Sequence, residues 1–270
     1  MASTDTIRLK EEKVTLFIPL YAKALDYRAK KSVLNDSTAN EIVNKIGTDL
    51  AKHKRFGARA LAVRPKQYDE WAKDFIAKNK NEAVVLHLGC GLDARRTRIQ
   101  PPSSVTWFDV DFPEVISLRK KFYSQADGYK MIATSITAPD WLEAIPADKP
   151  ALIIAEGVFE YLTEENVRIL LNRLTDHFSH GQIAFDVMNS FSIGSRKEKL
   201  RKTTGAVQRW AVDDLGEVDR LNPKLKRVDT VPVFKSVFTR ELPFGFRSVF
   251  WVLTLFPKFS NAMRLLRYEF

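Results

Sequence analysis

The sequence has one cysteine, Cys90, which excludes an intramolecular disulfide and a dithiol redox centre. Such a chain fits a reducing compartment, and the cytosol is its expected location. Histidine is also scarce: His53, His87, His177 and His180 show no metal-ligand spacing, so no metal is expected. Long apolar runs are missing. The longest, Ser248 to Phe256, falls far short of the roughly 18–20 residues that span a bilayer, so no membrane segment is expected. The first residues, MASTDTIRLKEEKV, lack the apolar stretch of a signal peptide and carry both charge signs, unlike a transit peptide. No internal repeat or low-complexity tract is present.

Acidic residues are in the minority, 33 against 43 Lys and Arg, for a net charge of +10. An excess of this kind can serve a nucleic acid or an acidic metabolite. Here the basic clusters at Lys52–Arg55, Arg95–Arg98, Arg119–Lys121 and Ser195–Lys202 are dispersed among carboxylates. They come with no helix-turn-helix, zinc or aromatic RNA platform, so they read as solvated faces and no nucleic-acid partner is expected.

What is present is an ordinary globular composition, 45% hydrophobic and 28% charged, in a chain long enough for one large α/β domain. Residues 1–80 read as a helical extension. Ala39, Ile42, Val43 and Ile46 repeat at helical spacing behind a Ser37 or Thr38 cap, with Gly47 to end the helix; Gln67–Lys78 carries Tyr68, Trp71, Phe75 and Ile76. Residues 81–189 alternate strand and helix. AVVLHL, VTWFDVD, the weaker YKMIAT, ALIIAEG and QIAFDVM are strands, PEVISLRKKFYS is a helix with Pro113 in its first turn, and TEENVRILLNRLTDHF is a helix capped at Thr163. Residues 190–232 are polar and read as a lid or substrate-shaping insertion, and 233–270 as closing strands, VPVFKSVF and LLRYEF. The expected fold is α/β and Rossmann-like: a mostly parallel seven-stranded sheet with helices on both faces and binding at the carboxyl ends of its strands.

The chemistry centres on VVLHLGCGLDARRTRI, Val84 to Ile99. Gly89 and Gly91 follow a strand directly and let the backbone approach a ligand where a side chain would collide. Asp109 and Asp111 close the next strand, where a carboxylate can accept both ribose hydroxyls of an adenosine. GCGLDA also satisfies a loose dinucleotide fingerprint, which keeps an NAD-dependent oxidoreductase open. Asp93, however, sits where a pyrophosphate would lie, and a carboxylate there suits the sulfonium and ammonium of S-adenosylmethionine better.

The motifs VVLHLGCGLDAR, WFDVDFPEVISLRKKF, IATSITAPDW and LIIAEGVFEYLTEENVRILL, in this order, resemble the leucine carboxyl methyltransferase superfamily, and within it the branch of tetracenomycin-type polyketide O-methyltransferases. The resemblance implies a class I methyltransferase that takes S-adenosylmethionine. It implies further that Gly89 packs against the cofactor, that Asp111 holds the ribose with Asp109 as neighbour or substitute, and that Glu156 makes a contact from its strand end. By the same resemblance Arg64 pairs with the methionine carboxylate, Ser135 and Ile136 flank the adenine, and Lys23 lies near the reactive centre.

At the acceptor end the sequence offers Tyr161 and, in an apolar set, Met188, Phe191, Trp210 and Phe234, with Arg196, Lys197 and Arg209 to attract an anion. Methyl transfer to oxygen is an in-line displacement that depends on positioning, and a carboxylate acceptor needs no base whereas a phenol of pKa about 10 does. Tyr161, Lys23 and Asp186 are the candidate proton acceptors. Cys90 reads as a packing residue and His87 as a core or cofactor-adjacent one. The expected activity is O-methylation of a small phenolic or carboxylic, polyketide-like metabolite. A protein C-terminal carboxyl methyltransferase and a non-catalytic S-adenosylmethionine-binding protein are the alternatives.

Overall fold

The structure, a computed structural model, describes residues 15–47 and 58–270. The opening segment, read as no signal or transit peptide, and the Lys52–Arg55 cluster with His53 lie outside the described residues. Three helices come first: α1 (Phe17–Tyr27), α2 (Ser37–Ile46) and α3 (Val63–Lys78). The start of α2 is set by Asp36, whose carboxylate accepts from the Ala39 amide; Ser37 and Thr38, the caps expected from sequence, lie inside the helix. Its end falls at Gly47 in the left-handed conformation, as expected.

The sheet then builds from β1 (Val84–Leu88), β2 (Thr106–Asp111), β3 (Tyr129–Ala133), β4 (Ala151–Ala155), β5 (Gly181–Met188), β6 (Lys226–Pro232) and β7 (Met263–Glu269), in spatial order 3-2-1-4-5-7-6. β1 to β5 are parallel, and β7 runs antiparallel between β5 and β6. Interleaved are α4 (Arg95–Ile99), α5 (Pro113–Arg119), α6 (Glu164–His177), α7 (Ser190–Thr204), α8 (Leu215–Asp219), α9 (Phe244–Thr254) and α10 (Pro257–Ser260). The central strands are apolar on both faces because each face has its own core. Leu86, Phe108, Ile153 and Phe185 pack under Val167, Leu170, Leu171 and Leu174 of α6, while Val85, Trp107, Leu152 and Ala184 pack under Tyr68, Trp71 and Phe75 of α3.

Two expectations about the carboxyl-terminal part need correction. Lys226–Pro232, assigned to the insertion, is edge strand β6. Its exposure alternates along the chain, so it shows the half-polar pattern of an edge and no apolar run. VPVFKSVF, expected to be a closing strand, is extended only at Val231 and Pro232; from Val233 it enters two 3-10 turns, Val233–Lys235 and Val237–Glu241, broken at Ser236, whose side chain accepts from the Phe238 amide. The apolar run that follows is helix α9, and LLRYEF is β7 as expected.

Candidate active site

The strand order reverses direction between β1 and β4, and a cavity of about 550 Å³ opens at the carboxyl ends of those strands. Gly89 and Gly91 both have left-handed backbone, with φ of 59° and 50°. A Cβ on Gly89 would collide with Cγ2 of Val158, in the loop after β4, so the two loops flanking the reversal meet where the glycine leaves room. Asp111, at the end of β2, accepts the Gly91 amide on one carboxylate oxygen at 2.8 Å and the Phe112 amide on the other at 2.7 Å. One lone-pair direction on each oxygen is left over. Burial outweighs these hydrogen bonds and pushes its carboxyl up to about 6.

The other acids of the cleft are clamped by arginines. Glu156, just after β4, accepts from Arg64 Nε at 2.9 Å and from the buried Arg95; although burial opposes ionisation, these two guanidiniums hold its carboxyl down to about 2. Arg95 also reaches Asp69 at 2.9 Å, Asp93 at 3.3 Å and His87 Nε2 at 3.1 Å. As acceptor from Arg95, the Nε2 atom of His87 is unprotonated and its Nδ1 faces Asp109. Arg98 joins Asp36, Asp69 and Asp93, tying α2 and α3 to the glycine turn. Thus Arg95 and Arg119, read from sequence as solvated, are buried ion-pair centres, and Arg98 is a half-buried one. No periodic signal separates a buried arginine from a surface one; only the carboxylates it meets across the fold do.

Of the residues singled out in the sequence, Lys23, Arg64, Gly89, Gly91, Asp111, Ser135, Ile136, Glu156, Tyr161 and Met188 all line the cavity. Several carry partners that narrow their roles. Lys23 pairs with Asp93 at 3.0 Å and is a counter-ion there. Arg64 also donates to Asp186 at 3.1 Å, and its guanidinium stands against Gly157. Ser135 Oγ lies 2.8 Å from Thr137 Oγ1. Cys90 is buried beside the cavity, and burial pushes its thiol well up, consistent with packing and not with a nucleophile.

Asp109 does not reach the cavity. It is fully buried beneath it, where Arg119, Tyr129 and Trp107 donate to its carboxylate at 2.8, 2.5 and 2.9 Å, so it cannot serve as neighbour or substitute for Asp111. Trp210 is likewise withdrawn from the acceptor pocket. Its side chain packs in the core under α6, and its amide bonds the Glu160 carbonyl. Phe191 meets Phe259 edge-to-face at the surface, Phe234 packs on Phe250, and Lys197 does not line the cavity. Asp186 is buried beside the cavity, held by Gly157, Tyr68 and Arg64. The wall opposite the glycine turn comes instead from α7 and the segment after it, through Arg196, Lys199, Leu200, Gln208 and Arg209, and from Glu160. Neither Glu160 nor Gln208 carries a sequence signal beyond its type.

A parallel β1–β5 half with its crevice at the β1–β4 reversal, closed by an antiparallel β7, is the class I methyltransferase arrangement. A solved putative methyltransferase from Thermobifida fusca shares this fold, with a TM-score of 0.61 over 98% of this chain and 96% of that one at 14% identity. The chain belongs to the leucine carboxyl methyltransferase family, whose profile matches residues 8–175. It is 36% identical to the tetracenomycin polyketide synthesis O-methyltransferase TcmP of Streptomyces glaucescens over 98% of this chain and 99% of that protein. It is also 30% identical to the S-adenosyl-L-methionine-dependent methyltransferase dpfgK of Gibberella zeae, over 82% of each chain. This protein is therefore an S-adenosylmethionine-dependent methyltransferase.

Proposed function

We propose that the protein transfers a methyl group to an oxygen of a small phenolic or carboxylic, polyketide-like metabolite. The observation that carries this reading is the division of one cavity into two chemically different ends. At one end the Gly89–Gly91 turn and Asp111 offer close backbone approach and two free carboxylate lone pairs, which suits an adenosine; Ser135 and Ile136 lie beside them. At the other end Tyr161, Met188 and the α7 wall form a mixed apolar and polar surface, suited to a ring bearing oxygens. The near full-length likeness to an O-methyltransferase of polyketide synthesis supports oxygen as the acceptor atom.

The fit to the cofactor rests on charge as well as shape. Asp93, in the turn after Gly91, is matched by Lys23, Arg95 and Arg98, and α4 is a single short helix, so the turn carries a carboxylate and lacks the long helix that a pyrophosphate takes. Bound there, S-adenosylmethionine supplies a methyl on a sulfonium. The chain's own part is to hold the ribose at Asp111, to present Arg64 to the amino-acid carboxylate with the donors left over from Glu156 and Asp186, and to keep water out with α1 and α7. α7 and the segment after it act as the substrate-shaping wall. Isothermal titration with S-adenosylhomocysteine, with NAD as control, tests the reading: micromolar binding of the first alone supports it, and binding of NAD alone overturns it.

A further inference from the structure

Helix α9 is apolar on every side, with Arg247 its one charged residue. A helix of that kind is normally covered all round, by a large core or by lipid. Here one face alone is covered. Phe246, Phe250 and Leu253 turn inward to Val63, Leu242 and Phe234. On the other face Phe244, Trp251 and Leu255 stand 78%, 67% and 60% exposed, and Phe256 follows at 55%. Steps of three and four residues from Phe244 to Arg247, Trp251 and Leu255 place them on one stripe. The stripe runs on into α10 and the start of α7, where Phe259 meets both Phe256 and Phe191 edge to face. Apolar surface that is continuous in this way marks a docking site.

The charges around it have one sign. Residues 233–262 contribute Lys235, Arg240, Arg247 and Lys258, all exposed, against one acid, the half-buried Glu241. Among the described residues none of these four cations is held in an ion pair. A second copy of the chain, laid face to face, would set the cations against their own duplicates with no carboxylate to meet them. A surface of anionic lipid complements both features. Its headgroups take the cations, and the boundary of its acyl chains takes tryptophan, phenylalanine and leucine side chains.

We propose that this face docks on an anionic bilayer, with Phe244, Trp251, Leu255 and Phe256 at the acyl boundary and Arg240, Arg247 and Lys258 among the headgroups. At 11 residues α9 is too short to span the bilayer and lies along it. The inference goes beyond methyl transfer but touches it through α7. Asn189 caps α7 by accepting the Ser192 amide, and its side-chain amide donates to the Lys258 carbonyl at 2.9 Å, so the patch and the start of α7 are joined. Further along, Arg196, Lys199 and Leu200 of α7 line the cavity. Docking therefore brings the helix that walls the cavity to the lipid.

Trp251 supplies the reporter, because the other tryptophans, Trp71, Trp107, Trp141 and Trp210, are buried. The test mixes full-length protein with vesicles of phosphatidylcholine alone or of phosphatidylcholine with phosphatidylglycerol, and reads co-sedimentation and tryptophan emission. The expected result is partitioning onto the anionic vesicles about tenfold or more above the neutral ones, weakened by salt. Emission shifts to the blue and is quenched by lipids brominated on the acyl chain. Leu255→Ser should lower partitioning about tenfold or more, and Arg247→Ser about fivefold. Both residues are exposed and outside the cavity, so S-adenosylhomocysteine affinity by calorimetry stays unchanged and shows that the variants are folded. Sedimentation with neither vesicle, which leaves the face to an acidic protein, overturns the proposal, as does equal loading of both vesicles. A dimer in vesicle-free solution that Leu255→Ser separates assigns the face to a second copy and overturns it too. None of these outcomes alters the O-methyltransferase reading.

Discussion

Asp111 gives a prediction that links stability to cofactor binding. Its carboxyl is raised from 3.8 to about 6 in the folded protein, chiefly by burial. A raised acid contributes stability that is fully present below its unfolded pKa and is lost as pH rises through the folded one. Between these values the folded chain holds a proton that the unfolded chain has released. The difference between these two values corresponds to about 3 kcal/mol. Of this, roughly 2 kcal/mol is lost above pH 4.5. Asp111→Asn keeps the shape of the protonated acid and cannot ionise. Its stability relative to wild type, measured by urea unfolding without cofactor, should therefore improve by roughly 2 kcal/mol from pH 4.5 to 7.5. Ribose hydroxyls donating to the ionised carboxylate reverse the perturbation. Wild-type affinity for S-adenosylhomocysteine should then fall up to tenfold per pH unit below about 6, with protons released on binding near that pH. Calorimetry in buffers of different ionisation enthalpy reads that release. A flat stability difference between the two proteins, together with no proton release, would refute both the burial argument and the ribose assignment.

Asp109→Asn separates the two acids of β2. It leaves Arg119 buried and unpaired and should cost about 3–5 kcal/mol in urea unfolding while the folded protein keeps its S-adenosylhomocysteine affinity; a selective loss of affinity would return Asp109 to the site. Arg64→Ala should weaken S-adenosylhomocysteine by about 1.5–3 kcal/mol more than 5′-methylthioadenosine, which lacks the amino-acid carboxylate. Equal losses by calorimetry would confine Arg64 to holding Glu156 and Asp186.

The parallel half of the sheet was legible because its strands are buried on both faces and read as uninterrupted apolar runs between a glycine turn and capped helices. The edge was not. β6 alternates exposed and half-buried residues in a basic stretch, a pattern that an insertion also shows, and it becomes a strand only through pairing with β7. The cavity lining was legible where a residue is tied to a motif, as with Gly89, Asp111 and Glu156. It failed for Trp210 and Phe234, since an aromatic looks the same in sequence whether it meets a ligand or fills a core. Asp109 failed for a different reason. Period-two alternation along β2 sends Asp109 and Asp111 to the same face of the sheet, and only the position of Arg119 on α5 decides which one is taken up by a cation.

That last distinction generalises across the cleft. Asp93, Glu156 and Asp109 each meet at least one arginine, and the guanidinium charge holds all three below the usual carboxylate range although burial opposes it. Their negative charge is already spent within the protein, where it fixes α2, α3 and α4 around the glycine turn. Asp111 and Glu160 line the same cavity, and at both burial outweighs the nearby arginines and raises the carboxyl. Asp186 is also raised, but Arg64, Tyr68 and Gly157 occupy it and it does not line the cavity. An acid that burial penalises more than the nearby cations relieve costs the protein stability, a cost that a ligand offering hydrogen-bond donors removes. The two such acids line one cavity, Asp111 accepting the amide of the glycine turn and Glu160 in the 3-10 turn after β4.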